Sequence, residues 1–313
     1  MGRMRTVTLG FIALFVVACG GGGASGAPTG ATATQPTGTQ AGAVTPEPTQ
    51  NACDAANLDT MTAGMLTIGT SEPAYPPFFS IEDPVPSGST WTLGQPPNGE
   101  GLESATAYAV AQKLGFTNDQ VAWVVADFNT TIQPGPKAFD IFLAQVSFSP
   151  ERAAVVDLSD GYFDLNQAVV TLAANDLAKV TTLAGLKPFR FGAQVGTTSY
   201  QYIVDQIKPD LEPRVYDSND AAIKGLEAGQ IHGIVADLPT TFYMRDAQLT
   251  GGQIVGWLPT APGAAIEHYS ILLDKGSVLT ACVNFALAEL KADGTLAAIV
   301  TEWIGGGGAP ELK

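Results

Sequence analysis

Residues 189–207, "FRFGAQVGTTSYQYIVDQI", decide the fold class. "FRFGAQVG" reads as a short apolar strand, and "SYQYIVDQI" places Tyr200, Ile203, Val204 and Ile207 on one helical stripe. The pattern repeats outward from there: "NDAAIKGLEAG" (219–229) is a helix running into the strand "HGIVAD" (232–237). Toward the N-terminus, "MLTIGT" (65–70) is a strand, "SATAYAVAQKLG" (104–115) a helix with Ala107, Val110, Ala111 and Leu114 on one face, and "VAWVV" (121–125) another strand. Strands alternating with helices predict parallel sheets covered on both faces. The two series, near 66–158 and 189–237, predict two α/β lobes. A C-terminal helix with Leu279, Cys282, Val283, Ala286, Leu287 and Leu290 on one stripe must pack against one of them. In such sheets ligands bind beyond the carboxyl ends of the strands.

Length and charge bound the rest. A chain of 313 residues, 45% hydrophobic, suffices for one large domain or two ordinary ones. The formal charge of −15 argues against a nucleic-acid partner, whose phosphates need a dense basic face. Residues 1–19 read as an export signal: Arg3 and Arg5, then the apolar run "TVTLGFIALFVVA", too short for a membrane span. Its end, "VVAC", resembles a bacterial lipobox, which implies a lipidated Cys19; a plain secretory signal is the other reading. Residues 20–51 lack large apolar side chains and read as a disordered tether. Outside the reducing cytoplasm, Cys53 and Cys282 are candidates for a disulfide, or Cys282 is a buried thiol on its helix's apolar face.

Chemistry-bearing positions are few. The chain has six arginines, and Arg152 sits between a Ser/Pro turn and an apolar run in "SFSPERAAVVDLSDGYF" (147–163). Arg152 is either a fixed cation for an anionic ligand or a partner of Glu151 or Asp157. Gly196, Thr197 and Thr198 close a strand and open a helix, an arrangement that suits an anion or simply caps the helix. Asp237, before Leu238 and Pro239, is likewise a ligand-facing acid or a helix cap. No G-x-S-x-G, H-E-x-x-H, P-loop or Cys-x-x-Cys motif is present, and His232 and His268 stand alone, so no catalytic residue, metal or cofactor is assigned.

Six motifs in order carry a resemblance: "GTSEPAYPPF" (69–78), "GLESATAYAVAQKLGF" (101–116), "FSPERAAVVDLSDGYF" (148–163), "VGTTSYQYI" (195–203), "LEAGQIHGIVADLPT" (226–240) and "LAELKADGTLAAIVTEW" (287–303). The chain after residue 65 resembles the family-3 solute-binding proteins of polar amino-acid ABC importers. The resemblance implies a periplasmic-binding-protein-like type II α/β fold. Its first lobe is 52–170 plus 265–313, its second 171–264, and two hinge strands near "NQAVVTL" and "PGAAIEHYS" join them. It implies a free amino acid bound between the lobes, its α-carboxylate on Arg152 and on Thr197 and Thr198, and its ammonium on Asp237. Tyr75 and Phe79 would be aromatic walls, and Ser147 would hydrogen-bond the ligand. Glu72 is either a cleft acid favouring a cationic side chain or a solvated surface acid.

At one point the chain departs from the family. The usual run of small residues is replaced by "AQVS" (144–147), so Gln145 is expected to intrude on the side-chain subsite. The Pro/Gly-rich loops 81–98 and 133–137 are expected to border the cleft. The implied partners are an ABC permease with its ATPase, reached by a lipid-anchored monomer at the outer membrane face or in the periplasm. A dehydratase-like enzyme of the same fold, using Glu72 or Asp237 for proton transfer, and a sensory amino-acid receptor are the alternatives.

Overall fold

The strands of the two expected series lie in two separate five-stranded sheets, which strands outside those series complete. The computed structural model describes residues 48–261, 263–305 and 308–313; the export signal, Cys19 and the tether up to residue 47 lie outside them. Along the first series run β1 (Leu66–Thr70), α1 (Leu102–Lys113), β2 (Val121–Val125), α2 (Phe128–Thr131), β3 (Ile141–Phe142), α3 (Pro150–Val155) and β4 (Asp157–Leu165). The chain then enters β5 (Gln167–Leu172), β6 (Phe191–Gln194), α4 (Thr198–Tyr202), β7 (Arg214–Tyr216), α5 (Asn219–Glu227), β8 (Gly233–Asp237), α6 (Leu238–Tyr243) and β9 (Gly252–Trp257). It returns through β10 (Glu267–Leu273) to α7 (Thr280–Ala292) and α8 (Thr295–Ile304).

The first sheet has the order β2-β1-β3-β10-β4, the second β7-β6-β8-β5-β9. In the first, β2, β1 and β3 are parallel, and β10 joins them antiparallel, with Leu272 opposite Phe142. In the second, β7, β6 and β8 are parallel, while β5 runs antiparallel to both β8 and β9. The chain therefore passes between the sheets at Asn166, between β4 and β5, and again between β9 and β10. Sheet membership changes at Asn166 and not at 170, because β5 belongs to the second sheet from its first residue.

Burial follows the periodicity. Helices α1, α7 and α8 cover one face of the first sheet, where Leu102, Val110, Leu114, Val283 and Leu287 join Leu66 and Ile68 in one core. Each such side chain contributes roughly 1.5–3 kcal/mol on leaving water. The opposite face is filled by Phe139, Phe142, Val146, Val156 and Leu272. Cys53 and Cys282 are joined in this lobe, with Sγ–Sγ 2.03 Å and Cα–Cα 5.2 Å, tying the start of the folded body to α7.

Two details depart from the pattern. After α4 the backbone winds as a π-turn over Ile203–Ile207, so Ile203 and Ile207 are buried while Val204, expected on the same stripe, is 41% exposed. The last residues, grouped by sequence with the first lobe, lie on the second sheet: Trp257 N–H donates to Pro310 O at 2.8 Å and Leu312 N–H to Trp257 O at 3.0 Å. Leu312 is buried there among Val169, Phe191 and Val255, apolar surface that draws the tail across.

Candidate ligand-binding site

Residues at or just beyond the carboxyl ends of six strands line one chamber of about 380 Å³. They are Ser71 and Glu72 after β1, Asp127 to Asn129 after β2, Gln145 after β3, Asp217 to Asp220 after β7 and Asp237 at the end of β8, with Tyr75, Gln194 and Thr197. Beside it a groove of about 670 Å³ is lined by Arg152, Gly196, Thr197, Thr198, Ile132 and Glu151 among others. Thr197 borders both spaces.

Arg152 lines the groove and not the chamber. Ser149 caps α3 by accepting from Arg152 N–H at 3.2 Å and Pro150 opens the first turn, so the motif "SPER" is a helix start. Arg152 is 7% exposed; its Nη1 donates to Ser147 O at 2.5 Å and its Nη2 to Gly196 O at 2.7 Å, from the other sheet's loop. Its carbon lies 5.6 Å from the Phe128 ring centroid. Burial lowers its pKa to about 10, opposed by Glu267 and Glu151, so it remains cationic at neutral pH. Among the described residues Arg152 forms no ion pair within 4.0 Å, and Asp157 is paired instead with Lys275 at 3.3 Å. Gly196 has φ 73°, and a Cβ there would come within 2.9 Å of Ile132 Cδ1, so glycine permits the close approach.

The other expected contacts divide. Thr197 caps α4: its hydroxyl accepts from Tyr200 N–H at 3.2 Å and donates to Gln194 O at 2.7 Å. The Thr198 hydroxyl is turned to the hinge, where it donates to Glu267 Oε1 at 2.5 Å, and Gln167 Nε2 donates to both oxygens of the same carboxylate. Asp237 caps α6, accepting from Thr240 N–H at 2.9 Å, as the cap reading expects, and it also lines the chamber. Burial raises its pKa, opposed by the Thr240 hydrogen bonds. Ser147 is buried and meets the site through its carbonyl, beneath Arg152.

Phe79 is not a wall of the chamber. It is 1% exposed in the core of the first lobe, edge-on to Trp123 with ring centroids 6.0 Å apart, because the loop after β1 turns its ring inward. The aromatic positions at the chamber are Tyr75, Phe128 and nearby Tyr243, whose ring lies 5.8 Å from that of Tyr75 and reaches across from α6. Burial, then Asp220, raises the Tyr75 hydroxyl pKa. Glu72 accepts from Thr92 N–H at 3.1 Å and from the Thr92 hydroxyl, while its Oε2 is buried without a partner. The 81–98 loop thus docks at the chamber rim, helped by Trp91 Nε1 donating to Ser71 O at 3.2 Å.

Gln145 lines the chamber with a φ of 53°, but its carboxamide is turned onto Glu103 and does not simply block the space. Sequence reasoning missed Phe128, Asp127, Asp217 and Asp220. The signal was present, since "ADFN" follows the strand "VAWVV" and "DSND" follows "RVY", where strand-end loops of such sheets bind. No group of three or more His, Cys, Asp or Glu side chains is arranged to hold a metal among the described residues, and no described helix is long and apolar enough to cross a membrane.

The fold and the interlobe chamber define a two-lobe binding protein. Residues 66–306 match the bacterial extracellular solute-binding proteins, family 3, and the chain belongs to that family. Over 250 residues it is 27% identical to the arginine-binding periplasmic protein of Mannheimia haemolytica, covering 79% of this chain and 94% of the relative. It is 33% identical over 177 residues to the ABC transporter arginine-binding protein 1 of Escherichia coli, covering 53% of this chain and 67% of that one. Among solved structures, an ancestral arginine-binding protein bound to arginine superposes with a TM-score of 0.60 at 30% identity, covering 77% of this chain and 98% of that one.

Proposed function

We propose that the protein is the amino-acid receptor of an ABC importer and takes an α-amino acid with a cationic side chain between its lobes. One observation carries this reading: the 380 Å³ chamber is lined by Glu72, Asp127, Asp217, Asp220 and Asp237 and by no lysine or arginine. A zwitterion with a further positive charge matches that excess of carboxylates. The names of the relatives, two of them arginine-binding transport proteins, agree.

In this reading Arg152 holds the α-carboxylate as a planar fork, exchanging its bond to the Gly196 carbonyl for one to the ligand. Asp237 takes the α-ammonium, main-chain N–H groups at Thr197 and Thr198 support the carboxylate, and Tyr75 covers the side chain. The lobes divide as the sheets do and close about the two crossings. Lipidation at Cys19 keeps a monomeric receptor near a membrane permease and its ATPase. The receptor performs no chemistry of its own.

The test is a thermal-shift panel of the twenty amino acids followed by calorimetry. Arginine or lysine raising the melting temperature and binding 1:1, with glutamate inert, is the expected result. Absence of amino-acid binding together with turnover of a prephenate-like or arogenate-like substrate would establish the dehydratase alternative instead.

A further inference from the structure

Below the chamber floor lies a carboxylate that the receptor reading leaves without a role. Glu103, in the first turn of α1, is 0% exposed. Its Oε1 accepts from Tyr162 Oη at 2.5 Å and from the Gln145 main-chain N–H at 2.6 Å, and its Oε2 accepts from Gln145 Nε2. One carboxylate therefore takes both the backbone and side-chain donors of a single chamber residue. It thereby holds Gln145 in a left-handed backbone conformation that glycine would adopt more easily. A carboxamide that aims Nε2 at Glu103 turns its Oε1 away from it, and Gln145 is half-buried with its open side on the chamber.

Resting on the receptor reading, we infer that Glu103 is a positioning residue for the ligand's cationic groups, acting through the Gln145 carboxamide, and that proton uptake by Glu103 turns this carboxamide over and weakens cation binding. Ionised, Glu103 offers only acceptors, so Gln145 must point Nε2 down and present Oε1 upward, one more acceptor beside Asp237. Protonated on Oε2, Glu103 sets an O–H against the Gln145 N–H. Rotation of the amide relieves the clash: Oε1 accepts from the new O–H, and Nε2 faces the chamber as a donor that no ammonium or guanidinium can pair with. The proton comes from solvent and no other bond changes.

The titratable groups facing Glu103 are Tyr162 from β4, Tyr269 from β10 and Asp237 from β8. Both tyrosines are pushed well above their usual range, chiefly by burial, and stay neutral. Burial raises Glu103 to about 7, opposed by the hydrogen bonds from Tyr162 and Gln145 and helped by the nearby Asp237 charge. A cation seated over Gln145 and Asp237 favours the ionised carboxylate, so binding expels the proton. Affinity is then full above the free protein's pKa and falls as pH drops through about 7, by about tenfold between pH 8 and pH 6 for one fully linked proton.

The test is calorimetric titration of the protein with L-arginine at pH 8, 7 and 6, in buffers of different ionisation enthalpy. Expected are a Kd about tenfold higher at pH 6 than at pH 8 and release of up to about one proton per ligand at pH 6. Glu103→Gln, with a permanent amide donor, should bind weakly at every pH and lose the slope. Gln145→Gly suits the left-handed backbone, removes the turning group and should flatten the slope with the fold intact, which decides the matter if Glu103→Gln does not fold. A wild-type affinity independent of pH overturns the inference, as does an unchanged slope in Gln145→Gly. Failure of arginine and of every other amino acid to bind at any pH overturns the receptor reading, and this inference with it.

Discussion

Arg152→Met separates the two roles of the guanidinium. The substitution keeps an unbranched stem near Phe128 and deletes the donors that now reach Ser147 O and Gly196 O. Each carbonyl left without its partner costs about 1 kcal/mol. Against this stands relief from holding a desolvated cation, the burial that lowers its pKa to about 10. The net change in folding stability should therefore stay within about 2 kcal/mol. Binding should respond far more, because the ligand carboxylate would be buried without its fork. Truncating one partner of a buried charge pair costs about 2–5 kcal/mol, equivalent to a loss of about 30-fold to 5,000-fold in affinity. Arg152→Lys, which retains a point charge without the planar fork, should fall between wild type and Arg152→Met. Calorimetry on each variant, with thermal denaturation as the folding control, measures both quantities. A folded Arg152→Met variant that binds within about threefold of wild type would refute the carboxylate role.

Two further substitutions test placements made by the fold. Phe79→Ala should lower stability by about 3–5 kcal/mol in urea denaturation and leave the Kd of the folded protein unchanged, since the ring is in the core; lost affinity with unchanged stability would contradict that placement. Replacing Cys53 and Cys282 together by serine removes a crosslink between positions 229 residues apart and should cost about 2–5 kcal/mol. An unchanged denaturation midpoint would show that the bridge contributes nothing to the folded state.

The fold was legible because its signals are local. Five buried residues in a row at Leu66–Thr70, the stripe of α7 and the strand at Gly233–Asp237 each follow from apolar spacing alone. What escaped depends on tertiary partners. The π-turn that exposes Val204 leaves no mark in the period, and the tail at Leu312 crosses to the second sheet because apolar surface there remains uncovered. A helical stripe reports which residues are buried, but it does not report against what.

The site divides along the same line. Arg152 and Asp237 were singled out through short motifs that are also helix starts, so their backbone placement is encoded within a few residues. Thr198 was singled out in the same way, but the sequence around it says nothing of Glu267, 69 residues away, which takes its hydroxyl. Phe79 lies in the core and Phe128 at the chamber, although both follow a strand, because only packing decides which ring turns inward. Glu103 is the sharpest case. It lies at helical spacing from Ala107, Val110 and Leu114, but the helix read from the sequence begins at Ser104 and leaves this acid just outside it. A buried acid demands donors, and the nearest departure from the family's small-residue pattern, Gln145, supplies two of them. The glutamate and the glutamine, 42 residues apart, are thus one structural feature, and substitution at either position should be felt at the other.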